Sequence, residues 1–367
     1  MDFIKTCVMQ YIQDGCPIQD QLRGGERVEI PSAFAYTIAS FNFSEFYVQL
    51  PALIDTILSL QQPSGAWLEY TYSETEEKIG YEGVVPTCFA LIALSSLAHH
   101  AKNDRVRGAI CKGAEYLHRS EKNGYFFKAS FNKSDVVNTN LLASFALLQS
   151  TSFFPENSFI PEKIKFAAHR TLARAIQSQL LSGAFPYVSF GQKVSYLYHA
   201  MATALLGAHS RFVGQPLLSY AFYRGVLFLN RIVDKNGALR WNRANLKDKE
   251  GAVWAYGWAH AAYAFSENER MRVSIEAHMH ALQGEKFFKS GDFDGREDLF
   301  YTAWILLALS LSREHYVVKK NTTLGLGYWF WYPRSWYRRA RMSVRACIRK
   351  IHTSSLDLGP VEEYDTH

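Results

Sequence analysis

The densest group of acids in this 367-residue chain is Asp292-Phe-Asp294-Gly-Arg-Glu297-Asp298. Carboxylates of this type and spacing can serve as a general acid or bind a metal–diphosphate. A turn followed by acids at a helix N-terminus gives the same pattern, because negative charge there offsets the helix dipole. Asp294 and Glu297 are the leading catalytic candidates, with Asp298 and Tyr301 beside them.

Four further groups carry chemistry. Asp135-Val-Val-Asn138-Thr139-Asn140 places a carboxylate and two amides ahead of an apolar run. The competing reading of Asp135 or Ser134 is a helix N-cap, whereas amides early in an apolar helix must find partners. Tyr196-Leu-Tyr198-His199 offers a Tyr/His pair of the kind that works as base and acid on a sugar ring, with Asn138 neutralising a uronate. The alternative for His199 is a satisfied core histidine. Trp254-Ala-Tyr256-Gly-Trp258-Ala-His260 puts Trp254 and Trp258 on one helical face and Tyr256 and His260 on another. Such rings stabilise a cation, stack on a sugar, or simply pack. Glu82 stands just before the apolar run Val84–Ala98.

Five glycine loops position these residues: Gln61–Trp67, Ser120–Phe126, Gln179–Phe185, Val233–Leu239 and Phe287–Phe293. Their glycines, Gly65, Gly124, Gly183, Gly237 and Gly291, lie 59, 59, 54 and 54 residues apart. A period of that size marks stacked copies of one supersecondary unit. An apolar run follows each loop: Val84–Ala98, Val136–Gln149, Ser195–Ala208, Ala252–Phe265 and Leu299–Leu311. A more amphipathic segment precedes each: Pro51–Leu60, Arg105–His118, Pro161–Leu180, Pro216–Ile232 and Arg270–Leu282. The unit is therefore an outer amphipathic helix, a loop whose glycine takes positive φ, and an inner helix apolar on most faces. With an extra helix near Ala33–Phe43, about six hairpins would close a ring. The inner helices would then direct their N-termini, with free N–H groups, toward one mouth. Little sheet is expected.

On these residues the chain resembles the α/α toroids of the squalene cyclase, terpene cyclase and protein prenyltransferase superfamily. Gln61–Trp67 is similar to that group's Q-x-x-x-G-x-W repeat at every defined position, and Gln179–Phe185 has Phe for Trp. Gly291–Trp304 is similar to its passage from loop to inner helix. The resemblance spans about residues 50–312 and implies an all-α, α/α toroid fold. It also implies a central cavity for a lipophilic isoprenoid. Class II terpene cyclases carry D-x-D-D-T at an inner-helix start, where the middle Asp is the acid. Here Asp135, Val137, Asn138 and Thr139 match that stretch, so Val137 stands at the acid's position. No D-x-C precedes Cys88, so the prenyltransferase zinc site does not carry over.

The net charge of +6 is uneven. Residues 313–351 hold ten Lys/Arg against one Glu, and the last sixteen carry four acids without Lys or Arg. The body is thus nearly neutral, and its ligand need not be polyanionic. Tyr328–Tyr332, followed by Arg334, Arg338, Arg339, Arg341 and Arg345, suits an anionic membrane surface better than nucleic acid, the other reading being that Tyr328–Tyr337 packs on the ring and the arginines are solvated. Five scattered cysteines without metal spacing, no secretory start and no apolar run of ~18 residues point to a cytoplasmic protein, peripheral at the inner membrane.

The expected organisation is an N-terminal extension (1–30), the toroid (31–312), a basic aromatic segment (313–351) and a tail (352–367). Three functions remain open. One is a terpene cyclase- or prenyltransferase-like enzyme, with Asp294 or Glu297 as acid. The second is a carbohydrate-active toroid (lyase, hydrolase or epimerase) in polysaccharide biosynthesis. The third is a non-catalytic toroid binding a lipid-linked substrate or a partner enzyme. No cofactor is expected beyond Mg2+ for a diphosphate substrate.

Overall fold

A computed structural model describes residues 19–23, 26–29, 50–72, 78–98, 104–127, 134–155, 158–239, 252–282, 284 and 299–312. Contacts divide the chain into two units, Met1–Thr323 and Leu324–His367; all described residues belong to the first. The extension before Gln19, the helix expected at Ala33–Phe43, the fifth loop, the acid cluster, the basic segment and the tail lie outside the described residues.

Among the described residues the outer helices are α1 (Leu50–Ser59), α3 (Asp104–Ser120), α5 (Ile160–Gln177), α7 (Pro216–Ile232) and α9 (Glu269–Ala281). The inner ones are α2 (Val84–Ala98), α4 (Val137–Ser150), α6 (Tyr196–His209), α8 (Ala252–Phe265) and α10 (Leu299–Ser312). The contrast in patterning has a direct consequence for burial. In α3, Val106, Ala109, Ile110, Gly113, Ala114 and Leu117 form one buried stripe, while Arg105, Arg107, Lys112 and Arg119 face water. In α4 only Gln149 escapes full burial. A helix covered on all sides must be enclosed by others, as the all-round apolar pattern requires.

The fold is an all-α, α/α toroid. Inner helices α2, α4, α6, α8 and α10 pack in that order, each on the next. The first and last also meet: Phe89 of α2 and Trp304 of α10 pack edge to face, ring centres 4.9 Å apart. The C-terminal ends of α6 and α10 lie at the same level, where Arg211 donates to the Leu311 carbonyl and α6 touches α10. These two inner helices thus run in the same direction.

The glycine loops join neighbouring repeats. Gly65, Gly124, Gly183 and Gly237 have φ of 96°, 90°, 91° and 83°. A Cβ on Gly65, Gly183 or Gly237 would stand 2.3, 2.3 or 2.2 Å from the carbonyl oxygen of Lys112, Arg224 or Ser274, each on the next outer helix. Backbone meets backbone there, which only glycine permits. Gln61 Nε2 donates to Gly65 O (3.1 Å) in its own loop and to Ala109 O (2.9 Å) on α3. Gln179 repeats this with Gly183 O (2.9 Å) and Ala221 O (2.8 Å) on α7. The glutamine of the repeat is a clamp between a loop and the following outer helix.

The described residues also hold a 3-10 turn at Thr151–Phe153 and two short antiparallel hairpins, β1 (Gln19–Arg23) with β2 (Glu26–Glu29), and β3 (Trp67–Tyr72) with β4 (Lys78–Gly83). The second delivers the chain from the first loop to α2. No described helix is long and apolar enough to cross a membrane.

Candidate functional site

Polar side chains at the inner-helix starts divide by the direction in which the helix turns them. One direction is set by the loops. The backbone N–H of Trp67 donates to Thr87 Oγ1 (3.0 Å), that of Phe126 to Asn140 Oδ1 (2.8 Å), that of Phe185 to His199 Nδ1 (3.1 Å), and that of Leu239 to the Tyr256 hydroxyl (3.2 Å). In four successive repeats the residue two after the loop glycine is thus held by a side chain in the first turn or so of the inner helix. Asn140, His199 and Tyr256 do for their repeats what Thr87 does for the first.

The contacts of His199 bear on its two readings. The ring is fully buried. Because Nδ1 accepts the Phe185 N–H, the proton sits on Nε2, which points to Gly225 O at 3.1 Å on α7. Its lone pair is already engaged, so it has no free site for a substrate proton. Burial lowers its pKa to about 4. These contacts fit a core histidine. Tyr256 and His260 do share a face, but it is turned to outer helix α9: Tyr256 packs on His278 (4.6 Å) and His260 lies 3.9 Å from Glu276. Neither is placed to line the ring centre. Glu82 is exposed on β4 and accepts from Ser64 Oγ (2.5 Å), tying the hairpin to the first loop.

Asp135 is not a helix cap. The N-cap of α4 is Val136, without a side-chain cap, and the Val137 N–H goes to Tyr187 O (3.0 Å). Asp135 Oδ2 instead accepts Nε (2.9 Å) and Nη2 (2.7 Å) of Arg174. Its Oδ1 accepts Asn140 Nδ2 (2.5 Å) and Ser189 Oγ (2.7 Å). The Arg174 guanidinium lies 4.8 Å from the Tyr125 ring centre and 5.1 Å from that of Phe190. Every contact asks the carboxylate to accept. A proton on Asp135 would cost at least one of them, so the geometry makes it the tie between α4, α5 and the loop at Ser189 rather than a proton donor.

The other direction faces the neighbouring inner helices. Trp258, fully buried, packs on Trp304 with centres 6.1 Å apart, and Trp304 packs in turn on Phe89. Rings from α2, α8 and α10 thereby form one aromatic group. Asn138, the second residue of α4, sends Nδ2 to Met201 Sδ of α6 (3.5 Å). Its Oδ1 is buried and has no hydrogen-bond partner among the described residues; nor has Trp258 Nε1. An amide oxygen left so costs about 1–3 kcal/mol. Tyr198, three residues before Met201 and thus on the same face of α6, packs on Tyr187 with ring centres 4.8 Å apart and the planes tilted by 44°. The structure therefore brings Asn138, Tyr198 and Trp258 into the inner-helix layer. Asp294, Glu297 and Asp298 lie outside the described residues, as do the side chains of Trp254 and Tyr301. The sequence reading passed over Phe89, Tyr187 and Met201. Their types are ordinary for a core, and only the three-dimensional pairing distinguishes them.

No protein-family model matches the chain, and no curated protein matches it. Solved structures do. The unsaturated glucuronyl hydrolase from Bacillus sp. GL1, responsible for degradation of glycosaminoglycan, is 11% identical with a TM-score of 0.59, over 84% of this chain and 94% of that one. An unsaturated glucuronyl hydrolase specific for heparin is 10% identical with a TM-score of 0.60, over 86% and 96%. A variant of the type II terpene cyclase MstE from Scytonema, in complex with its substrate geranylgeranyl dihydroxybenzoate, is 12% identical with a TM-score of 0.58, over 86% and 97%. At these identities the likeness establishes the α/α toroid and leaves the activity open.

Proposed function

We propose that the toroid is an enzyme that holds a lipophilic isoprenoid among the rings of its inner helices and acts on it with a carboxylic acid from the group Asp294, Glu297. The observation that carries this reading is the aromatic group Phe89–Trp304–Trp258, contributed by three inner helices. Such rings shield apolar chains and stabilise a cationic intermediate without competing as nucleophiles. The likeness to a terpene cyclase bound to a geranylgeranyl substrate supports it. The carbohydrate reading has equal support from the glucuronyl hydrolases, but it relied on Tyr198, His199 and Asn138 acting together. His199 faces outer helix α7 and has its lone pair engaged. That weakens the second reading more than the first.

With Val137 at the position where class II cyclases carry their acid, Asp294 is the first residue to test. Asp294→Asn is expected to lower turnover of a prenyl substrate by about 100-fold or more while leaving its binding intact, the size expected for loss of general-acid catalysis. Single-turnover assays with candidate prenyl compounds check this, and unchanged turnover removes Asp294 from the mechanism. Residues 313–351 are proposed to bring the toroid to an anionic membrane surface, on the strength of their ten basic residues and interleaved aromatics. Cosedimentation should then be strong with phosphatidylglycerol vesicles, weak with phosphatidylcholine, and reduced by salt. Equal binding to both would contradict an electrostatic contact.

A further inference from the structure

Asn138 and Asn140 stand two residues apart at the start of the same inner helix, yet their amides have different fates. Asn140 is engaged at both ends, by the Phe126 N–H and by Asp135. Asn138 is also buried, at 8% exposure, but only its Nδ2 has a partner, the weak acceptor Met201 Sδ at 3.5 Å. Its Oδ1 is enclosed and unpartnered among the described residues. Turning the amide over would set oxygen against sulfur and leave the NH2 unpaired, so the unfilled position remains in either orientation. The fold's need for an amide at this helix start is met by Asn140.

We infer that Asn138 Oδ1 receives a hydroxyl group of the bound substrate, which makes the substrate a neutral lipophilic molecule carrying an alcohol or phenol. The inference rests on the isoprenoid reading above and adds the polar group that the isoprenoid must carry. A lone amide oxygen accepts only, so it selects a donor and repels a carboxylate or phosphate. A cationic amine would need a free carboxylate beside it. Asp135, three residues away in the chain, is committed to Arg174, Ser189 and Asn140. With Asp135 so engaged, a neutral hydroxyl is the donor that fits this oxygen among the described residues. The surroundings agree with a lipophilic carrier. Met201 meets the amide directly. One turn earlier on α6, Tyr198 packs against Tyr187, whose carbonyl holds the Val137 N–H next to Asn138. The amide thus meets a thioether, and a pair of aromatic rings lies one turn away on the same helix.

The test compares geranylgeraniol with its methyl ether, which cannot donate, by quenching of tryptophan fluorescence in the full chain and in Asn138→Leu. The alcohol should bind the wild type about tenfold or more tightly than the ether, the ratio expected for one hydrogen bond to a buried acceptor. In Asn138→Leu the two should bind alike, with the ether's affinity retained. Thermal melting gives a second readout: Asn138→Leu should melt at or above the wild-type temperature, because it removes an unpaired polar atom. Equal affinities in the wild type, or a preference for the alcohol that survives the substitution, overturn the inference while the isoprenoid reading stands. A variant that melts well below the wild type also overturns it, by showing that the amide has a partner within the protein. Failure of both compounds to bind removes the isoprenoid reading and this inference together.

Discussion

Gly183→Ala is expected to destabilise the protein by about 4 kcal/mol, the sum of left-handed backbone strain and overpacking. The added Cβ would sit 2.3 Å from Arg224 O and 2.9 Å from the carbonyl carbon, at φ 91°. Neither the loop nor α7 can yield cheaply. Gln179 holds the loop to Ala221 O, and Arg224 holds it from the other side through Leu180 O (2.9 Å) and Leu181 O. A loss of that size is a large part of the roughly 5–15 kcal/mol that holds a domain folded, and should lower the melting temperature by about 6 °C. Gly108→Ala is the matched comparison. Gly108 lies inside α3 with nothing within 4 Å of an added Cβ, so alanine there should raise stability by about 1 kcal/mol. Calorimetry on both variants reads the difference. If Gly183→Ala melts with the wild type, the repeats are not joined by loop-on-helix docking.

The second large effect is acid sensitivity. His199 and His209 are fully buried, and burial lowers each pKa from 6.5 to about 4. The unfolded chain therefore takes up two protons between pH 6.5 and 4 that the folded chain refuses. Stability is complete above pH 6.5, falls as the pH drops through that window, and levels off below about 4. The loss is about 3 kcal/mol for each histidine. For His199 the physical cause is visible: a proton on Nδ1 would expel the Phe185 N–H. Asparagine fills the equivalent position in the preceding repeat, where Asn140 Oδ1 accepts the Phe126 N–H. His199→Asn should thus keep the loop bond and remove about half the acid sensitivity. Denaturant melts from pH 7.5 to 4 check this, and an unchanged pH profile in the variant contradicts it.

The repeat made most of the scaffold legible. The expected inner runs Val84–Ala98 and Ala252–Phe265 coincide with α2 and α8, and the other helices fall within a few residues of their expected limits. Four loop glycines take the positive φ that the pattern required. The hairpin β3–β4 was missed as an element because only Leu68–Tyr72 is rich in strand formers, and its partner contains two glycines. The site was less legible because a sequence shows residue types at a helix start but not how the helix is rotated. Asn140, His199 and Tyr256 look like reactive groups one at a time. Aligned with Thr87, which has little acid–base chemistry of its own, they become one position of the repeat with one structural task. The pair Phe89–Trp304 joins residues far apart in the chain, which a period of some sixty residues cannot announce.

On this reading the rings of the inner helices enclose the hydrocarbon body of the substrate. Titrating the wild-type protein and Trp304→Leu with geranylgeraniol and with an unsaturated glucuronyl disaccharide tests it most directly. Isothermal calorimetry should show saturable binding of the prenyl compound, a weakening of about tenfold or more in Trp304→Leu, since hot-spot tryptophans cost at least this much when truncated, and no binding of the disaccharide. Binding of the disaccharide alone, unaffected by loss of Trp304, would contradict the account.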